Sequence, residues 1–225
     1  AIYVMGLLTL DELGGLPIAF YSGFLLEKRY GLSDQRLRGW LRDQATSMAL
    51  GAALAFLAAG VVYGAMALTP GAWWLAAGAI FALLTTGLAR VGPVLLLPLF
   101  STVKPLERES LRDRLLVLAT RANARVVGVY EWGLSEKTRK ANAALAGLGG
   151  TRRILVSDTM LEDYSDDEVE VVLAHELGHH VHGDIWKGLA IETALMLGGF
   201  AAAAWALRAA SPGLGLSGPS DVAGL

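Results

Sequence analysis

The chain has 225 residues, of which 54% are hydrophobic and 18% are charged, and its formal net charge is −2. A soluble domain usually carries about 25% charged residues, and here the apolar residues are concentrated in long blocks. This distribution predicts a membrane protein with one polar region, and the lack of a basic excess argues against a nucleic acid partner. The chain contains no cysteine, which excludes disulfides and thiolate metal sites.

Residues 1–26 are apolar except at Asp11, Glu12 and a few small polar positions, a pattern typical of the remnant of one membrane span. Pro17 and the two glycines shortly before it are expected to break or kink a helix there. The segment 27–44 is charged and predicts a loop or a short amphipathic helix. Its basic residues are Lys28, Arg29, Arg36, Arg38 and Arg42.

Two apolar blocks come next. Residues 45–68 contain no charge and, at about 1.5 Å per residue, are long enough to cross a hydrocarbon core of about 30 Å. A turn at 69–71 separates them from a second block at 72–100, whose far end contains prolines. The blocks therefore predict a helical hairpin with both outer ends on one side of the membrane. Basic residues flank those ends and are missing from the turn, so the positive-inside rule places that side in the cytoplasm.

Residues 101–184 form the polar region. An amphipathic helix is predicted at 106–122, where apolar residues recur at helical spacing. Runs of β-branched and small apolar residues predict strands at 125–130, 141–148 and 153–156. Another helix is predicted to begin at Ser165, because Ser-Asp-Asp-Glu fits a capping box and places acids at the positive end of the helix dipole.

Residues 185–207 are a last apolar block that is long enough to span, although Lys187 and Glu192 interrupt it. The pattern as a whole predicts a mainly α, multi-spanning helical membrane protein. Its parts are an N-terminal transmembrane region at 1–100, the polar region at 101–184, a transmembrane helix at 185–210 and a flexible, truncated end at 211–225. The chain opens on Ala1 inside an apolar stretch, so both ends are expected to be cuts in a longer protein.

The residues that carry chemistry are His175, Glu176 and His179, in the string His-Glu-Leu-Gly-His. On a helix the two histidines lie one turn apart on one face, so both can reach one tetrahedral Zn²⁺ at about 2.0–2.1 Å. Zinc lowers the pKa of a bound water towards about 7, and Glu176 can take the proton and pass it to the leaving amine. The motif therefore predicts one Zn²⁺ per chain, with Glu176 as the general base.

A catalytic zinc needs a third protein ligand. Two further histidines on the same helix, His180 and His182, are expected to be solvated, because a ligand two turns from the first strains a tetrahedral site. Glu192 lies 13 residues after the second ligand, about 20 Å along a continuous helix, and reaches the metal only if the helix breaks near Gly183. Glu192 is interpreted as a polar contact between helices or a cavity-lining group. The third ligand is therefore expected beyond Leu225.

Together these residues resemble the M48 peptidases, the group of the Ste24-type CAAX prenyl proteases and their bacterial relatives. The resemblance runs over most of the chain, and its motifs occur in the family's order and spacing. They are Glu27-Lys28-Arg29-Tyr30-Gly31-Leu32-Ser33, Pro98-Leu99-Phe100 followed by Pro105-Leu106-Glu107, then Asn142, Gly147, Gly149 and the stretch 152–161, and finally Val172 to His180 around the zinc motif.

The resemblance implies a zinc-dependent endopeptidase embedded in a membrane, with a zincin-like catalytic domain that contains a small β-sheet. Its third zinc ligand would be a Glu in a Glu-x-x-x-Asp motif on a later helix, and no such motif follows His179. Residues 152–157 would form an edge strand on which a substrate peptide pairs through its main chain. The substrate-binding residues would then be Asn142, Ile154 and Val156, although Asn142 is equally typical of a turn.

The implied partners are a lipid bilayer and a peptide or protein substrate, either membrane-associated or prenylated. The Ala- and Leu-rich composition favours a bacterial inner membrane, and with it cleavage of membrane or misfolded proteins over CAAX processing. Two other interpretations stay open at this point. One is a non-enzymatic membrane protein, such as a transporter or scaffold, with an incidental helix motif. The other is a degenerate family member that binds metal poorly.

Overall fold

The fold is described from a computed structural model, which describes residues 2–211 and 213. The flexible end expected at 211–225 lies outside the described residues, except for residues 211 and 213. Contacts divide the chain into two units. The helical unit comprises Ala1–Gly6, Leu50–Thr86 and Trp186–Leu225, and the sheet unit comprises Leu7–Ala49 and Gly87–Ile185. The polar region predicted at 101–184 lies wholly within the sheet unit.

The first helix, α1, spans Ile2–Phe20 and passes through both glycines and Pro17 without ending. Of the break or kink expected there, the break is wrong, because a proline removes one backbone donor and the other hydrogen bonds of an apolar helix hold it together; the kink stays a prediction. A π-helical segment at Tyr21–Leu26 follows directly, and then one short turn, α2, at Glu27–Arg29.

Three helices in the described part of the chain are long and apolar enough to cross a membrane: α3 at Leu37–Leu68, α4 at Trp73–Leu95 and α9 at Asp184–Ala210. The predicted hairpin of α3 and α4 is confirmed, with its turn at 69–72. Helix α3 begins eight residues before the predicted span at 45, because nothing in its charged first turns breaks a helix. A short helix, α5, at Leu97–Phe100 follows α4.

Within the helical unit, α9 packs against α4. The ring of Phe200 lies edge-on to Trp73 with centroids 6.2 Å apart, and 5.4 Å from the ring of Phe81. Gly78 has no Cβ, which leaves room for the side chain of Leu197: an added Cβ would come within 2.6 Å of it. Aromatic contacts and one small residue therefore join these helices. Such packing is common between membrane helices, because the hydrophobic effect does not drive their association in lipid.

The sheet unit contains one four-stranded sheet. The strands are β1 at Val103–Pro105, β2 at Val129–Trp132, β3 at Ala143–Ala146 and β4 at Arg153–Ser157. Their order is β1-β2-β4-β3, with β2 and β4 parallel and the other neighbours antiparallel. The strands predicted at 141–148 and 153–156 are confirmed. The strand predicted at 125–130 begins only at residue 129, because a bend at Val127 interrupts regular pairing.

Three further helices cover this sheet: α6 at Glu109–Arg121, α7 at Asp158–Asp163 and α8 at Asp166–Val181. The core is formed by buried side chains of α6, α8 and the sheet, namely Leu111, Leu115, Ala119, Val129, Ile154, Val156, Val169, Leu173 and Leu177. The predicted capping box is confirmed, since Glu168 Oε2 accepts the Ser165 N–H at 2.8 Å and Ser165 Oγ accepts the Glu168 N–H. The Ser165 hydroxyl also donates to Glu168 Oε2 at 2.7 Å, and this bond, together with the one from the Ser165 N–H, lowers the pKa of Glu168.

Asp158, the first residue of α7, ties that helix to the loop after β2. Its Oδ1 accepts the backbone N–H of Leu134 at 2.8 Å, and its Oδ2 accepts the Ser135 hydroxyl at 2.6 Å. Partial burial raises the pKa of Asp158, but hydrogen bonds from Ser135, Leu134 and Thr159 outweigh it and leave the pKa below its ordinary value. The ionised carboxylate therefore stabilises the fold.

A carboxyl group with a lowered pKa in the folded state stabilises the fold above its unfolded-state pKa of about 3.9, and that contribution is lost as the pH falls through the folded-state value. Asp158→Asn in the full-length protein should therefore lower the Tm at pH 7, and its gap to the wild type should shrink below about pH 4. Asp113→Asn removes an exposed aspartate of α6 and serves as the matched control, with no comparable gap. A gap for Asp158→Asn that is unchanged at pH 3 would contradict this role.

Candidate active site

Helix α8 presents the predicted catalytic residues on the face opposite its buried one. Val169, Leu173 and Leu177 are 0–1% exposed and point into the core. His175 lies two residues from both Leu173 and Leu177, about 200° around the helix, and therefore points outwards. His175 and His179 are accordingly exposed, and their ring centroids are 4.9 Å apart with the rings nearly perpendicular. Glu176, beside them, is half-buried.

The orientation of His179 is set by Asp184, a residue that the sequence reasoning missed. Helix α8 ends at Val181 with His182 as its C-cap, and Gly183 has a φ of +69°, the left-handed conformation that commonly terminates helices. The next residue places Asp184 Oδ2 2.9 Å from His179 Nδ1. A carboxylate accepts and cannot donate, so Nδ1 carries the proton and Nε2 keeps its lone pair for a metal. The only sequence signal was an Asp directly after a helix-ending Gly.

The other two histidines have different contacts. His182 is exposed, as expected, and its Nδ1 lies 2.8 Å from the Gly178 carbonyl, so that its ring caps the end of α8. His180 Nε2 lies 3.5 Å from a guanidinium nitrogen of Arg152. The helix does break at Gly183, which Glu192 would need in order to reach the metal. Even so, residues 2–211 and 213 contain no group of three or more His, Asp or Glu side chains that could hold a metal.

The sheet edge beside α8 is β3 and not β4. The expected edge strand at 152–157 is wrong, because β4 lies between β2 and β3, and Ile154 and Val156 are fully buried. Asn142 is exposed and starts the β3–β4 pairing: its N–H donates to Ser157 Oγ at 2.8 Å, and its carbonyl accepts the Ser157 N–H at 2.8 Å. Strand β3 packs against α8, so the free edge borders the helix that carries the motif.

The free edge of β3 offers backbone groups at alternate residues. In an antiparallel ladder every second residue directs its N–H and C=O towards the partner strand, and the residues between direct theirs away. Ser157 bonds to Asn142, so Ala144 and Ala146 also face β4. The N–H and C=O groups of Ala143, which is 5% exposed, and of the half-buried Leu145 therefore point away from β4, towards the edge at which an added strand would pair.

Three ion pairs, which we call the charged clasp, join the segment before β3 to α2, to the loop after α2 and to the start of α3. They join Lys140 Nζ to Glu27 Oε1 at 2.7 Å, Arg139 Nη2 to Asp34 Oδ2 at 2.6 Å, and Lys137 Nζ to Asp43 Oδ2 at 2.6 Å. The backbone adds to it, because the Arg139 N–H donates to the Leu32 carbonyl at 2.9 Å. The clasp thus holds the start of β3 in place from the juxtamembrane segment.

Comparison with known proteins agrees with this geometry. A sequence profile described as Peptidase family M48 matches residues 105–220. The chain belongs to this family. A second profile, described as the CAAX prenyl protease N-terminal region with five membrane helices, matches residues 1–102. The family membership, the mainly α membrane fold and the small sheet expected from the sequence are thereby confirmed, and the chain is an integral membrane protein with apolar helices of spanning length.

Individual proteins and one solved structure are similar to most of the chain. An "Uncharacterized metalloprotease YhfN" of Bacillus subtilis is 32% identical over 199 residues, which are 88% of this chain and 46% of that protein. CAAX prenyl protease 1 of Saccharomyces cerevisiae is 30% identical over 78% of this chain and 39% of its own length. The crystal structure of S. mikatae Ste24p superposes with a TM-score of 0.83 and 25% identity, covering 91% of this chain and 49% of that one. The chain therefore spans about half or less of the proteins it matches.

The contact between Asp184 and His179 should tighten metal binding, because it fixes the ring with Nε2 towards the metal. Asp184→Ala in the full-length protein should weaken zinc binding by about 10- to 100-fold, measured by competition with a chelator. Asp163→Ala, which removes an exposed aspartate of α7, is the matched control and should leave the affinity unchanged. Equal zinc affinities for the two variants would show that Asp184 does not orient the ligand.

Proposed function

We propose that the protein is a membrane-embedded, zinc-dependent endopeptidase whose catalytic residues lie on α8. The observation that supports this most strongly is the exposed face of α8, where His175 and His179 lie one turn apart beside Glu176, with the Nδ1 of His179 already bound to Asp184. A helix with an incidental motif has no reason to fix the tautomer of one of its histidines. This arrangement therefore favours the peptidase over a transporter or scaffold.

His175 and His179 are suited to be two of the ligands of a zinc ion. Imidazole nitrogens are common zinc ligands, and a carboxylate on the far ring nitrogen is their usual support. The third ligand is proposed to lie beyond Leu225, since no set of three such side chains among the described residues could hold a metal and the related proteins are about twice as long. When bound, zinc would polarise the scissile carbonyl and acidify a water molecule.

Glu176 is proposed to move the protons of the reaction. Its carboxylate takes a proton from the water that attacks the scissile carbonyl carbon, which forms the new C–O bond. The carbon–nitrogen bond then breaks, and Glu176 gives the same proton to the departing amine. The products are one carboxylate and one amine, and Glu176 returns to its ionised form. His175 and His179 hold the metal throughout and exchange no proton.

The substrate is proposed to bind as an extended strand along β3. Ala143 and Leu145 offer their backbone N–H and C=O groups to it, and the exposed Asn142 lies at the entrance of that edge. Ile154 and Val156 are buried in β4, the strand that pairs with β3, so their role is to position β3 without touching the substrate. Main-chain pairing gives affinity with little side-chain selectivity, which suits a peptidase that cleaves varied proteins.

The proposed location is a bacterial inner membrane, with the catalytic region on the cytoplasmic side. The basic residues of segment 27–44 and those after α4 support that orientation, because positive charge flanks the outer ends of the hairpin. The proposed substrates are membrane-associated or misfolded proteins. The names of the yeast relatives favour a second candidate, cleavage of prenylated proteins, which a prenylated and an unprenylated peptide of equal sequence distinguish.

Replacing Glu176 should remove the general base and leave the metal in place. Glu176→Gln in the full-length protein should lower kcat by about 10²- to 10⁴-fold at unchanged zinc content, because a general base contributes a factor of that size. Glu162→Gln, an exposed glutamate of α7, is the control and should keep full activity. Unchanged cleavage by Glu176→Gln would contradict the proposal, and loss of zinc would show that Glu176 serves the metal site instead.

If the substrate pairs with β3 as a strand, every second amide of the substrate should be sensitive to N-methylation. In a series of peptides N-methylated at one amide at a time, the loss of kcat/KM should alternate, because only every second amide faces β3. Each affected position should lose about 5- to 10-fold, the effect of one hydrogen bond. A smooth decline around the scissile bond, without alternation, would contradict pairing at this edge.

A further inference from the structure

The sheet unit contains a cavity of about 1220 Å³ that the proposed peptidase reaction does not use. Its walls come from three places: the start of α3, the stretch from α5 through β1, and the loop after β2. Among the described residues, its lining includes none from α8 or β3. The cavity is therefore separate from the zinc motif and from the edge proposed to bind substrate.

Most charges that line the cavity are already paired. Asp34 and Asp43 belong to the charged clasp, Lys104 Nζ lies 3.1 Å from Glu131 Oε1, and Asp158 accepts hydrogen bonds from the loop after β2. The arginines of the lining are the exception. In the part of the chain that the structure describes, Arg36, Arg38 and Arg42 make no ion pair, and the lining acids without an ion pair are Glu136 and the hydrogen-bonded Asp158. Among the lining charges without an ion pair, three positive charges thus face two negative ones.

The position of these arginines along α3 corresponds to the lipid headgroups. The uncharged stretch of this helix begins at Ala45, three residues after Arg42 and seven after Arg38. At about 1.5 Å per residue, the two guanidinium-bearing residues start about 5 and 10 Å outside the hydrocarbon core, which is the depth of the headgroup layer. Pro98 and Leu99 are exposed at the same cavity and give it an apolar flank.

We propose that this cavity binds the phosphate-bearing headgroup of an anionic membrane lipid. Arginine recognises phosphate with two parallel N–H···O bonds, and Arg38 and Arg42, one helical turn apart, can do so together. The apolar flank favours a lipid over free phosphate, because the glycerol and first acyl carbons need an apolar surface. Such a lipid would bind the start of α3 next to the charged clasp, and hence next to the segment that fixes β3.

The test uses the full-length protein in an uncharged detergent, titrated with dioctanoyl phosphatidylglycerol, dioctanoyl phosphatidylcholine or inorganic phosphate by calorimetry. The variant is Arg38→Gln/Arg42→Gln. The matched control, Arg29→Gln/Arg90→Gln, removes two exposed juxtamembrane arginines that do not line the cavity. A third variant, Arg38→Lys/Arg42→Lys, keeps both charges and removes the bidentate geometry. The Tm and zinc content of each variant check that it is folded.

Phosphatidylglycerol should bind at least about tenfold more tightly than phosphatidylcholine, and Arg38→Gln/Arg42→Gln should weaken it by at least about tenfold. The control should stay within about twofold of the wild type, and the lysine variant should fall between. If the glutamine variant does not fold, the lysine variant decides alone: no weakening overturns the proposal. Equal losses in variant and control, equal binding of the two lipids, or inorganic phosphate binding as tightly as phosphatidylglycerol also overturn it.

Discussion

The packing of one face of α8 against the sheet determines the rest of the site. Val169, Leu173 and Leu177 are buried in the core, and this fixes the rotation of the helix about its axis. At 100° per residue, that rotation directs His175 and His179 away from the core. The proposed metal ligands therefore depend on ordinary apolar burial, and a rigid helix holds them better than a loop would.

The end of α8 links this packing to the membrane. Gly183 terminates the helix, Asp184 binds His179, and α9, a helix of spanning length, begins at the same Asp184. Asp184 thus both orients a proposed metal ligand and lies in the first turn of a helix of spanning length. At the other side of the site, the charged clasp ties the residues before β3 to the start of α3. Both edges of the catalytic region are in this way fixed to segments that lead into apolar helices.

Local signals in the sequence predicted the features that depend on local physics. The capping box at Ser165, the hairpin of two apolar blocks and the strand at 153–156 all follow from spacing and propensity, and the structure confirms them. The zinc motif was readable because two histidines and a glutamate at that spacing share one helical face. Helix α3 begins at Leu37, within the segment 27–44 for which a loop or a short amphipathic helix was expected, because the lack of charge that defines a span does not define where its helix begins.

Features that depend on contacts between distant segments could not be read from the chain. The residues of β4 do not indicate that β3 pairs outside it, so the edge strand that the resemblance implied at 152–157 is in fact an interior strand. Strand β1 is three residues long and contains a proline, which gives no strand signal. Asp184 was missed because its role depends on the helix break at Gly183, and the cavity beside α3 is assembled from separate segments.

His175 and His179 are proposed to hold a catalytic zinc, with His179 bound through Nε2. The most direct measurement of this binding is an experimental structure of the full-length protein with anomalous diffraction data collected at the zinc absorption edge. One anomalous peak is expected about 2.0–2.1 Å from His179 Nε2 and from a ring nitrogen of His175, with the contact between Asp184 and His179 Nδ1 preserved. No peak at α8, or a metal bound to Nδ1 of His179 with Asp184 turned away, would contradict it.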